Sequence, residues 1–238
     1  MNPRPFLAAH WRHLAMLNFI ADPALLQPFI PPRTHLDFHN GQTFLSIVGF
    51  RFLNTRILGL PIPFHTNFDE VNLRFYVRRE TPAGPRRGVV FIREIVPRAA
   101  IATVARLCYG EPYVALRMRH QLQLAPPNVH VRYEWRRGDN WESIDLRANG
   151  EPRRIESNSH EQFIAEQFWG YSACGSSCRE YQVEHPPWKI WPATDAKLSA
   201  DVASLYGLQF LPTLSAPPFS AFLADGSPVT VRYHSKPK

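Results

Sequence analysis

Between residues 64 and 78 apolar and polar side chains alternate. Val71, Leu73, Phe75 and Val77 interleave with Glu70, Asn72, Arg74, Tyr76 and Arg78. A period of two marks a β-strand with one face against apolar neighbours. Glu70 and Asn72 then sit at the mouth of a cavity if the polar face lines one, and on an ordinary solvated edge if it faces water. A second alternation runs over 113–124, where Val114, Leu116, Met118, His120, Leu122 and Leu124 oppose Ala115, Arg117, Arg119, Gln121 and Gln123. It predicts one strand with His120 turned inward, where a hydrogen-bonded core role is the simpler reading than catalysis. Val129, Val131, Tyr133 and Trp135 predict an inward face for the next strand, 129–136. Gly138-Asp139-Asn140 turns it into 141–148, completing a meander whose outer charges Arg117, Arg119, Arg132 and Glu134 pair across strands.

Further strands are expected over 10–20, 43–53 and 88–96. The second is apolar on both faces except for Ser46 and Arg51, with Gly49 marking a bend or bulge. In the third, Glu94 falls with Val90, Ile92 and Val96, and Arg93 falls with Val89, Phe91 and Ile95. A carboxylate among apolar side chains is costly unless paired, and Arg93, Arg98 or Arg74 would supply the partner. Asp22-Pro23 starts a short helix over 23–29, Pro97 starts one over 97–108, and Ser159-x-x-Gln162 is a capping box for one over about 159–170. Another short helix is expected near 201–206. Two prolines make 57–65 an apolar loop. Short strands close the chain around 179–185, 189–198, 218–225 and 228–234, with Gly226 as a turn. No linker or repeat appears, so the expectation is a single domain over 1–238.

A hydrophobic fraction of 45% with 20% charged residues suits a folded globular chain. No apolar run reaches the roughly 18 residues that cross a bilayer. The opening Met-Asn-Pro-Arg-Pro lacks the apolar stretch of a secretory signal, which predicts a cytoplasmic location and no membrane partner. Cys108, Cys174 and Cys178 are too few and too oddly spaced for a disulfide framework, and Cys174-Gly-Ser-Ser-Cys178 reads as two reduced thiols near a turn. A net charge of +7 raises the question of nucleic acid, but only four of 27 basic residues are Lys and the arginines form no run. His10 and His13 flank Arg12 with no nearby carboxylate, so neither a metal nor another cofactor is expected. The oligomeric state is left open.

Three stretches carry a family resemblance: Trp11-Arg12-His13-Leu14-Ala15-Met16-Leu17-Asn18, Val48-Gly49-Phe50-Arg51-Phe52-Leu53-Asn54-Thr55-Arg56, and Phe68 through Arg78, joined by Pro112-Tyr113. Together they resemble the YqjF-like proteins, an uncharacterised family catalogued as domain of unknown function 2071. That family is similar in turn to the acetoacetate decarboxylase superfamily. The resemblance implies an α+β, mainly β fold: a closed, cone-like antiparallel β barrel around a pocket, with a few helices outside.

The decarboxylase match runs through Arg12, Pro31 nineteen residues later, and Phe68-Asp69-Glu70. It implies roles for Arg12 and Glu70 in the pocket, and it aligns Ser46 with a second pocket carboxylate. Where the decarboxylases carry Pro-Lys-Lys, whose first Lys forms a Schiff base, this chain has Pro112-Tyr113-Val114, and no lysine precedes Lys189.

Two functions follow for a pocket holding a small molecule with a carboxylate or carbonyl. In an enzyme without a Schiff base, Arg12 grips the carboxylate or polarises the carbonyl and Glu70 is general acid or base. Tyr113, Asn72 and Ser46 then contact the substrate. In a binding or regulatory module the same pocket holds its ligand without chemistry, and Arg12 and Glu70 are equally readable as a structural ion pair.

Overall fold

In a computed structural model of the protein, residues 5–103 and 110–234 are described. The strands are β1 (Leu7–Ala21), β2 (His35–Leu36), β3 (Thr43–Ile57), β4 (Leu60–Pro61), β5 (Phe68–Arg79), β6 (Arg86–Val96), β7 (Tyr113–Ala115), β8 (Met118–Gln123), β9 (Asn128–Arg137), β10 (Asn140–Asn149), β11 (Arg153–Arg154), β12 (Trp169–Cys174), β13 (Ser177–Glu184), β14 (Lys189–Ser199) and β15 (Ser220–His234). Helices are α1 (Pro23–Leu26), α2 (99–103), α3 (His160–Ala165), α4 (Val202–Leu205) and α5 (Leu211–Leu214). Among the described residues no helix is long and apolar enough to cross a membrane.

Hydrogen-bonded neighbours run β1, β3, β5, β6, β12, β13, β15, and β15 pairs back onto β1, closing a ring. Pairing around it is antiparallel except between β6 and β12, which run parallel at Gly88 and Val89. Gly88 is required there, because a Cβ would strike the Trp169 carbonyl. From β15 the sheet continues through β14, β10, β9 and β8 and folds over the outside of the ring.

Strand alternation divides the apolar side chains into two cores. Val71, Leu73, Phe75 and Val77 of β5 pack outward with Val131, Tyr133, Trp135, Ile144 and Leu146 of the covering layer. Leu14, Met16, Phe44, Val48, Phe50 and Tyr76 point into the ring. Gly49 marks where the layers touch: a Cβ on it would meet Ile144 and Tyr133. The expected bend lies instead on β1, where the register with β3 shifts between Arg12 and Ala15 and His13 has φ 57°.

The capping box forms as expected, with Ser159 Oγ accepting from the Gln162 amide at 3.1 Å. The helix stops at Ala165 rather than near residue 170, because Trp169–Cys174 becomes a strand between β6 and β13. Phe163 and Ile164 of α3 join the interior core, with Phe163 5.1 Å from the Tyr76 ring. The helix thereby packs against the apolar interior of the ring.

Two other expectations are corrected. Residues 113–124 are two strands, because β7 pairs with β6 and β8 with β9. Residues 218–234 hold one strand, bent but not broken at Gly226 (φ 78°), since β1 pairs with it on both sides of that glycine. The helix expected over 97–108 is present at 99–103, and 104–109 lie outside the described residues.

Candidate functional site

The alternation of β5 sends Glu70, Asn72 and Arg74 into the cone, where all three are buried. On β6 the two-residue period breaks. Leu73 pairs with Arg93 but Arg74 pairs with Phe91, which leaves Ile92 as a bulge. A bulge moves later side chains to the opposite face. Phe91 and Glu94, three apart, therefore both line the cavity. Glu94 is 1% exposed, and among the described residues it forms no ion pair, so the pairing with Arg93, Arg98 or Arg74 expected from sequence does not form.

The third wall is the segment before β7. It docks parallel to β6, Glu94 opposite Tyr113, with the Glu94 amide donating to the Pro112 carbonyl at 3.2 Å. This brings Tyr113 Oη within 3.4 Å of Glu70 Oε2. Asn72 Nδ2 donates to the other Glu70 oxygen at 3.0 Å, and Tyr181 Oη donates to Glu111 Oε1 at 2.6 Å. The cavity, about 80 Å³, is completed by Gln167 and by Trp11, Phe50, Phe52, Trp169 and other apolar side chains, and among the described residues Arg74 is the one cation lining it.

Burial of three carboxyls together raises the affinity of each for its proton. Desolvation lifts Glu70 to about 7 against the opposing pull of Asn72, Tyr113 and Arg74. Glu111 is lifted to about 8 by desolvation, with Tyr181 opposing. Desolvation, then Glu111 and Glu70, push Glu94 well above the usual carboxylate range. Tyr113 is driven up by burial and by the same carboxylates, so it remains a hydroxyl donor. The site therefore combines three carboxyls that all hold their protons more tightly than an exposed carboxyl, a phenol and a guanidinium.

Trp11 Nε1, Asn72 Oδ1, Arg74 Nε, Glu94 Oε2 and Gln167 Oε1 are buried without a hydrogen-bond partner among the described residues, and all of these side chains line the cavity. Most buried polar groups are satisfied, and a cluster of exceptions in one cavity is a pattern that a polar ligand would complete. Among the described residues no group of three or more His, Cys, Asp or Glu could hold a metal ion.

Of the residues singled out from sequence, Glu70, Asn72 and Tyr113 meet at this cavity. Arg12 does not line it: Trp11 points inward, so its neighbour on the strand points out, and Arg12 Nη1 donates to the Gly226 carbonyl at 3.1 Å. Ser46 is buried inside the ring, but its hydroxyl is bound at 2.6 Å to both Asn18 and Tyr76 and lies outside the cavity lining. Arg74, Glu94 and Glu111 line the cavity as well, beyond the site residues expected from sequence. Glu94 had one signal, a carboxylate among apolar neighbours, and Glu111 had none.

Solved structures with the same chain path define the class. Acetoacetate decarboxylase from Legionella pneumophila subsp. pneumophila str. Philadelphia 1 matches with a TM-score of 0.67 at 13% identity, over 99% of this chain and 88% of the other. An acetoacetate decarboxylase-like enzyme from Sphingomonas wittichii RW1 matches with a TM-score of 0.66 at 13% identity, over 99% and 94%. The protein thus has the acetoacetate decarboxylase-like β-cone fold, and among the described residues no lysine lines its cavity. Residues 8–228 match the DUF2071 family, described as an uncharacterized conserved protein (COG2071), and the chain belongs to that family. It is also 24% identical over 198 residues to the uncharacterized protein YqjF of Bacillus subtilis (strain 168), which covers 82% of this chain and 78% of YqjF.

Proposed function

We propose that the cone cavity binds a small molecule bearing a carbonyl and a carboxylate, in the cytoplasm, and that Glu70 moves a proton on it without a covalent intermediate. The observation that carries this reading is Glu70 itself, a buried carboxyl held at about 7 between the Tyr113 hydroxyl and the Asn72 amide. A carboxyl poised near ambient pH serves as either general acid or general base. Arg74, with Nε unpartnered, grips the ligand carboxylate, the role first read onto Arg12. Glu94, whose hold on its proton burial strengthens, donates to the carbonyl oxygen, while the Tyr113 hydroxyl stays on Glu70 and orients it. Glu70 then takes a proton from the carbon beside the carbonyl, the C–H electron pair enters the new C=C bond, and charge develops on the oxygen that Glu94 faces. Return of the proton to the same or a neighbouring carbon completes an isomerisation or exchange.

The alternative is a ligand-binding module, favoured by the absence of lysine, cysteine or serine from the cavity lining among the described residues. A thermal-shift screen of small 2-oxo acids, ketones and carboxylic acids tests the shared premise. Stabilisation of the wild type that Arg74→Met abolishes and Arg12→Ala retains is the expected result. No stabilisation by any compound, or equal stabilisation of Arg74→Met, overturns the reading.

A further inference from the structure

A second cavity, about 120 Å³, adjoins the first and shares Leu7, Phe52, Glu70 and Tyr113 with it. Its other walls are apolar almost throughout: Phe6, Ile57, Ile62, Phe68 and, from α2, Ala100 and Ile101, with Thr55 and His65 the remaining polar side chains. Glu70 and Tyr113 therefore stand at a junction. Toward the interior lie the guanidinium, the carboxyls and the unpartnered polar atoms. Toward β4 and α2 lies a greasy compartment larger than the polar one.

We propose that the ligand is amphiphilic, with its carbonyl and carboxylate in the inner compartment and an unbranched apolar tail in the outer one. This rests on the reading of the cone cavity as a carbonyl and carboxylate site. A short polar molecule would leave the outer compartment unfilled, whereas a tail leaving the carbonyl carbon past Glu70 and Tyr113 meets Phe52, Ile57, Ile62 and Phe68. The β3–β5 loop that supplies Ile62 and His65 also presents Leu58, Leu60 and Phe64 outward, 69%, 72% and 86% exposed. An apolar tail entering from that side passes a rim of its own polarity.

Burying a methylene is worth about 0.8 kcal/mol, roughly a fourfold gain in affinity per carbon. The test is calorimetric titration of the wild type and Ala100→Trp with straight-chain 2-oxo acids from pyruvate to 2-oxodecanoate. Ala100 is exposed on α2, so a tryptophan there narrows the outer compartment without burdening the core. The expected result is an affinity rising about fourfold per methylene in the wild type until the compartment fills. In Ala100→Trp the rise is cut short, with the affinity of pyruvate unchanged. Pyruvate binding with no gain along the series overturns the tail and leaves the inner site standing. No binding by any member overturns the inner site and the tail together.

Discussion

Glu94 and Tyr113 face each other across a parallel strand pair, and that pairing sets the Tyr113 hydroxyl 3.4 Å from Glu70. The hydrogen bond favours the ionised form of Glu70, so it holds back the rise that burial imposes. Tyr113→Phe is expected to move the Glu70 titration to higher pH. Carboxyl-carbon NMR of labelled protein checks this, and an unchanged or lower midpoint would show that the contact is electrostatically silent.

Glu70, Glu94 and Glu111 all bind protons more tightly in the folded chain than in the unfolded one, where a carboxyl titrates near 4.5. Between that value and about 8 the native state holds more protons, so stability falls as pH rises through the window. Glu111→Gln keeps an acceptor for Tyr181 and removes one of the titrating groups. Denaturant unfolding at several pH values should show a shallower decline for the variant, by on the order of a few kcal/mol across the window.

Glu94 is held in the cavity at a cost in stability, since Oε2 is buried without a partner. Glu94→Leu, of similar size and apolar, should raise stability by about 1–3 kcal/mol while weakening ligand binding. Melting curves and ligand titrations of the same variant separate the two effects, and a loss of both would assign Glu94 a structural role.

Gly49 faces the covering layer and not the cavity, and a Cβ there would meet Tyr133 Cδ2 at 2.8 Å as well as Ile144. Gly49→Ala is expected to cost about 1–3 kcal/mol through overpacking. Thermal unfolding reads this as a midpoint lowered by several degrees, with ligand affinity in the folded protein unchanged.

Local pattern reveals most of the long strands and one wall of the site, while their closure into a cone is what the family resemblance implies. The alternation of β5 is unbroken, so spacing alone puts Glu70, Asn72 and Arg74 on one face, while closure of the ring decides that this face is the interior one. On β6 the bulge at Ile92 interrupts the period, and no residue type in Val90–Ile95 announces it, so spacing groups Glu94 with Val90 and Ile92 whereas the structure places it with Phe91. On β1 the same strand rule that turns Trp11 inward turns Arg12 out, a phase that the apolar run Leu14–Leu17 conceals. Glu111 and Tyr181 meet only because β7 docks beside β6 and β13 closes the ring, contacts that join residues 70 apart. Gly226 and Pro228 look like punctuation, yet β1 supplies a continuous partner that carries the strand through them.

The most direct measurement is proton NMR of wild-type protein and Glu70→Gln with small ketones and 2-oxo acids in heavy water near neutral pH. The wild type is expected to replace the protons beside the carbonyl with deuterium, and Glu70→Gln, retaining its fold and its affinity for the same compound, is expected to lose that exchange. Exchange at the same rate in both proteins, or none in the wild type with a compound shown to bind, would contradict a proton-transfer role for Glu70.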